Sequence, residues 1–80
     1  MRLDKYLKVS RLIKRRTVAN EACDAGKVLV NDKQARASYD IKENDVIELA
    51  MGQRSLKVRV LEINEYVRKE DAAQMYEVLA

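Results

Sequence analysis

Leu3, Tyr6 and Leu7 fall at i, i+3 and i+4, the spacing of one helical face, and predict a short helix over about 3–9. Val9-Ser10 breaks that period, so a connecting turn follows, although Leu12 and Ile13 continue the apolar content. Val18, Ala22 and Ala25 recur at i, i+4 and i+7, with Thr17 in the N-cap region. Gly26 stands where a left-handed, helix-ending residue belongs, so a second helix is predicted over about 17–25. Beyond Gly26 the period changes. "KVLVNDKQA" reads as a short strand with Val28 and Val30 on one face, turning at Asn31-Asp32, a pair tolerant of the positive φ of tight hairpins. "ENDVIELAMGQRSLKVRVLEI" reads as two longer strands joined near Gly52-Gln53. In the second of them Leu56, Val58 and Val60 alternate with Lys57, Arg59 and Leu61, the pattern of a half-buried antiparallel strand. Ala72, Met75, Tyr76 and Leu79 return to helical spacing behind Lys69, Glu70 and Asp71, predicting a C-terminal amphipathic helix over about 70–79 that covers the core. The expected class is α+β: two helices packed on a small, mainly antiparallel sheet, plus a C-terminal helix, in one domain over residues 1–80.

Eighty residues allow a single small core. One cysteine, Cys23, rules out an intrachain disulfide, and with no histidine a four-ligand zinc site has nothing to use. Cys23 lies among Ala22 and Ala25 and is read as an inert packing residue. No apolar run approaches the roughly 20 residues that a membrane span needs, and "MRLDKYLK" has no signal-peptide core behind it. A cytoplasmic, monomeric protein without a cofactor, membrane contact or small-molecule substrate is expected.

Charge changes the picture most. The net charge of +3 conceals a split chain: residues 1–16 hold seven cations (Arg2, Lys5, Lys8, Arg11, Lys14, Arg15, Arg16) against the single acid Asp4. The rest of the chain carries nine cations and twelve acids. Two helices meeting near a basic turn would gather the seven, and the N-terminus of the second helix adds free N–H groups and a positive dipole end. Such asymmetry points to a polyanionic partner. A membrane-surface helix would need a broader bulky apolar face, and a duplex-reading helix would carry exposed Asn, Gln or Arg where this one is short and alanine-rich. Structured RNA, bound through backbone and shape, suits a compact cationic surface. With no Phe or Trp and four scattered tyrosines, a single-strand stacking platform is not expected.

The motifs carry a resemblance. "RLDKYL", Arg16-Thr17-Val18-Ala19 opening the second helix, and "GKVLVND" resemble the bacterial S-four-type RNA-binding domain over roughly residues 1–50, with 51–80 as an extension. Arg2, Leu3, Asp4, Leu7, Arg16, Ala19, Gly26, Val28, Val30 and Asn31 match its pattern. Asp32 and Asn44 replace two of its glycines with residues that tolerate left-handed geometry, and Arg15 replaces a common serine with another charge. The tail is similar to the heat-shock-protein-15-like branch, and within it to the short factors of bacterial ribosome-associated quality control. That resemblance implies RNA binding by Arg2, Lys5, Lys8, Arg11, Lys14, Arg15 and Arg16, on a large ribosomal subunit carrying peptidyl-tRNA. It further implies contacts with 23S ribosomal RNA and tRNA, and cooperation with an NFACT-type tailing protein that adds alanines without a template.

A catalytic reading is weaker. The domain also occurs beside pseudouridine synthase and tyrosyl-tRNA synthetase domains, which are absent here, and nothing pairs two carboxylates convincingly. Asp4, at a helix start between Arg2 and Lys5, is expected to complement the dipole and orient arginines rather than to act as an acid. A large-subunit assembly factor of the same fold remains the alternative.

Overall fold

The computed structural model describes residues 1–80, the side chain of Met51 aside. In chain order the elements are α1 (Leu3–Val9), α2 (Arg16–Asp24), β1 (Val28–Val30), β2 (Lys33–Gln34), β3 (Val46–Met51), β4 (Arg54–Val60), a 3₁₀ helix (Lys69–Met75) and β5 (Tyr76–Val78). The five strands form one antiparallel sheet in the order β2-β1-β3-β4-β5, so the α+β class holds.

Leu3, Tyr6 and Leu7 are fully buried, as their spacing on α1 requires. On α2 the expected stripe is displaced by one residue. Ala19 and Cys23 are buried, whereas Val18 is 47% exposed and Ala25 is at the surface. The helix begins at Arg16 with Arg15 as its extended N-cap, one residue before the predicted start, so Thr17 lies inside the first turn. The displacement follows from α2 serving two neighbours. Arg16 and Asn20 turn toward Asp4, which leaves the small Ala19 and Cys23 facing the core. Burial pushes the Cys23 thiol up to about 11, with Asp4 and Asp24 adding to the rise, so it is the inert packing residue anticipated.

Gly26 ends α2 at φ +74, and an added Cβ would meet the Gln34 amide nitrogen at 2.7 Å. The positive φ is what favours glycine at position 26, since the exposed Gln34 side chain can swing away from an added Cβ. Asn31 and Asp32 take φ 53 and 70, closing β1 onto β2 with the two-residue turn expected. Asn44, at φ 73, likewise does the work of the family's glycine. The Asn31 side chain joins these turns: its Oδ1 accepts from Val46 N–H at 3.0 Å and its Nδ2 donates to Asp45 Oδ1 at 3.1 Å.

The C-terminus departs from expectation. Instead of an α-helix over 70–79, a 3₁₀ helix ends at Met75 and the chain extends as β5 against β4, pairing Val60 with Tyr76, Arg59 with Glu77 and Val58 with Val78. An α-helix would send Leu79 N–H to the Met75 carbonyl. That oxygen is already taken by the Leu61 N–H and the Tyr6 hydroxyl, each at 2.8 Å, and by Glu62 N–H at 3.2 Å; Leu79 N–H donates to Lys57 instead, at 2.7 Å. Ala72 and Met75 do cover the core, while Leu79 is 44% exposed. The free edge of β4 outcompetes helical periodicity.

Candidate RNA-binding face

The centre of the basic region is a buried acid. Asp4 sits in the first turn of α1 with its side chain 3% exposed, and four groups donate to it. Arg2 reaches Oδ1 through Nε at 3.2 Å and Oδ2 through Nη2 at 3.4 Å. Arg16, arriving from α2, places Nε 3.4 Å from Oδ2 and Nη2 3.5 Å from Oδ1. Asn20 Nδ2 donates to Oδ2 at 3.2 Å, and Lys5 N–H to Oδ1 at 2.8 Å. Burial pushes the Asp4 carboxyl up, but the bonds from Asn20, Arg2, Arg16 and Lys5 N–H outweigh it and hold the group below its ordinary value. Asp4 is thus an anion at neutral pH.

The two arginine side chains are only half covered, at 51% and 48% exposed, so each is anchored on Asp4 and still partly open to solvent. Arginine suits this double role because its planar fork offers donors in more than one direction. The segment before β3 braces the arrangement: Leu3 N–H donates to the Tyr39 carbonyl at 2.8 Å and Asp4 N–H to the Ala37 carbonyl at 3.1 Å, and Arg2 bridges to Asp40.

The seven cations divide into groups. Arg2 and Arg16 meet on Asp4. Lys8 and Arg11 are exposed and border a cleft beside residues 65–68. Lys14 and Arg15, also exposed, lie in the connection that leads into α2, where no side chain caps the free N–H groups. Lys5 is different: half-buried, it pairs with Glu65 at 3.5 Å. Arg11 takes φ 62 at the stop of α1, and its N–H donates to the Lys8 carbonyl at 3.0 Å. Glycine is the usual residue at such a stop, and an L side chain there costs on the order of 1–2 kcal/mol. Sequence reasoning missed Asn20 and Arg68. Asn20 could have been found, because it stands at i+4 from Arg16 and so shares its face; Arg68, which borders the same cleft as Lys8 and Arg11, carries no local signal. Among the described residues no helix is long and apolar enough to cross a membrane.

The S4 domain family matches residues 1–47. The RQC P-site tRNA stabilizing factor of Streptococcus pneumoniae is 55% identical over all of this chain and 91% of its own. The protein of the same name from Bacillus subtilis is 51% identical over 99% of this chain and 92% of its own. Among solved structures, the trimeric Heat Shock Protein 15 of Vibrio cholerae superimposes with a TM-score of 0.93 at 30% identity, over the whole of this chain and 82% of that one. Fold, motif and full-length identity agree: the chain belongs to the S4-domain family, beside the RQC P-site tRNA stabilizing factors.

Proposed function

We propose that this chain is a non-catalytic RNA-binding factor of ribosome-associated quality control that stabilises P-site tRNA on the large ribosomal subunit. In the finer reading, it contacts 23S ribosomal RNA and peptidyl-tRNA on an obstructed large subunit while an NFACT-type protein adds alanines. The observation that carries RNA binding is the pair of half-exposed arginine side chains, Arg2 and Arg16, fixed on the buried Asp4. A buried acid that orients two arginines outward leaves their free edges ready for phosphate oxygens, at little further entropic cost. Lys8, Arg11, Lys14 and Arg15 extend the charge with no carboxylate partner among the described residues. The quality-control role is supported by full-length identity to relatives named for it.

The test is co-sedimentation with large subunits with and without peptidyl-tRNA, followed by mass spectrometry of the gradient fractions. Preference for peptidyl-tRNA-bearing particles that also hold the tailing factor supports the proposal; preference for immature particles lacking late proteins would replace it with an assembly role. With five or six phosphates neutralised, log affinity falls with log salt at a slope of roughly −4 to −5. A slope shallower than about −2 would mean that most of the cluster is merely solvated.

A further inference from the structure

The loop between β4 and the 3₁₀ helix holds one aromatic residue in a peculiar setting. Ile63 and Val67 pack against the core, and Glu65 is tied to Lys5 of α1 at 3.5 Å. Between these anchors Tyr66 is 91% exposed, whereas Tyr6 is buried and Tyr76 half-buried. A cleft of about 420 Å³ opens between this loop and the end of α1, bordered by Lys8, Arg11, Glu65, Tyr66, Val67 and Arg68. Its acid, Glu65, is engaged with Lys5; Lys8, Arg11 and Arg68 pair with no carboxylate among the described residues. An exposed ring held on a pinned loop, with three free cations around it, lacks both a stacking partner and counter-charges.

One ligand supplies both. An acidic peptide would answer the cations and leave the ring in water. An unpaired nucleotide offers a π-face to the ring and phosphates to the cations. Lys8 and Arg11 also belong to the basic face already described, so an RNA seated there can continue into the cleft. We infer that the cleft is a nucleobase subsite in which Tyr66 stacks on one unpaired base of the bound RNA while Lys8, Arg11 and Arg68 hold the flanking phosphates. It rests on the RNA-binding function proposed above and adds a base-contacting element to it, against the expectation that the scattered tyrosines exclude stacking.

The test uses two RNA hairpins, one fully paired and one carrying a single bulged 2-aminopurine, titrated with wild type, Tyr66→Ala and Tyr66→Phe. Because Tyr66 touches no core, all three should melt alike. Tyr66→Ala should weaken binding of the bulged hairpin by about 5- to 150-fold, the range for one lost base stack. Its affinity for the paired hairpin should stay within about twofold. Tyr66→Phe keeps the ring and should bind both as wild type does. The bulged base should be quenched by wild type and Tyr66→Phe but not by Tyr66→Ala. Equal binding and quenching by Tyr66→Ala would overturn the subsite and leave RNA binding intact. Failure of wild type to bind either hairpin would overturn both. Unchanged hairpin binding together with lost large-subunit co-sedimentation would assign Tyr66 to a protein contact and also overturn the subsite.

Discussion

Arginine meets carboxylate in two regions of this molecule, and the same two groups do different work. At the helical corner, Arg2 and Arg16 share the buried Asp4, whose side chain is 3% exposed and accepts from four donors. Across β4 and β5, Arg59 pairs with Glu77 in register, and both side chains are nearly half exposed. The second is an ordinary cross-strand pair, freely solvated and screened by salt. The first is an orienting device: burial of the acid makes the donors obligatory, since an unpaired buried carboxylate is expensive. Burial of one partner, rather than the presence of an ion pair, separates a positioned arginine from a decorative one.

Removing the buried acid is the most forceful way to break that contrast. Asp4→Ala leaves Asn20 and the Lys5 N–H without their acceptor and frees both arginines. The expected loss is about 2–3 kcal/mol of stability, the scale of hydrogen bonds to a charged group, or a melting temperature lower by roughly 10 °C or more. RNA affinity should fall further than for either arginine variant alone. Melts and hairpin titrations, side by side, check both; an unaltered melt would sink the claim that Asp4 is structural.

Arg16→Ala comes next. It removes one of the four donors to the buried Asp4, so stability should fall by about 1 kcal/mol, less than for Asp4→Ala because three donors remain, while binding to large subunits should weaken by roughly 1–3 kcal/mol and the salt slope should shrink by about one. Arg16→Lys retains charge but loses the fork, so only partial rescue is expected. Loss of folding without loss of binding would reverse the assignment.

Acid titration sharpens the difference through Asp4 itself. Its folded pKa lies below the unfolded value, so its contribution to stability is fully present above about pH 4 and is lost as pH falls through the folded pKa. Wild type should therefore lose stability below pH 4 more steeply than Asp4→Asn, in melts collected from pH 6 to pH 2. Parallel curves would show that the carboxylate is uncoupled from folding.

The smallest effect belongs to the solvated pair. Arg59→Ala should change stability by less than about 1 kcal/mol, leave RNA affinity within about twofold, and leave the salt slope as it was. If it weakens binding as much as Arg16→Ala, the interface lies on the strands and not at the helical corner.

The parts of the fold that were legible are those governed by local chemistry. Gly26, Asn31-Asp32 and Asn44 mark left-handed positions whatever surrounds them, and Leu3, Tyr6 and Leu7 leave α1 one face to bury. Residues whose surroundings come from far along the chain were not legible. The helical spacing of Ala72, Met75, Tyr76 and Leu79 is real, but β4 offers an unpaired edge that no short window reveals. The stripe on α2 moved by one residue because Asp4, on another helix, claims Arg16 and Asn20. At the candidate site, charge density pointed to the corner. Which cations face a partner and which, like Lys5, meet an acid from the distant loop depends on tertiary contacts.

One atom of the C-terminal segment has a consequence for how the protein is made. The Met75 carbonyl receives the hydroxyl of Tyr6, a residue 69 positions earlier and fully buried. Until residue 75 has left the ribosome's exit tunnel, that phenol has no acceptor, and α1 cannot complete its share of the core. Long-range closures of this kind are slow because the loop entropy is lost before the contact forms. The nascent chain should therefore stay sensitive to protease through most of its synthesis and become resistant in one late step, after translation of its final strand.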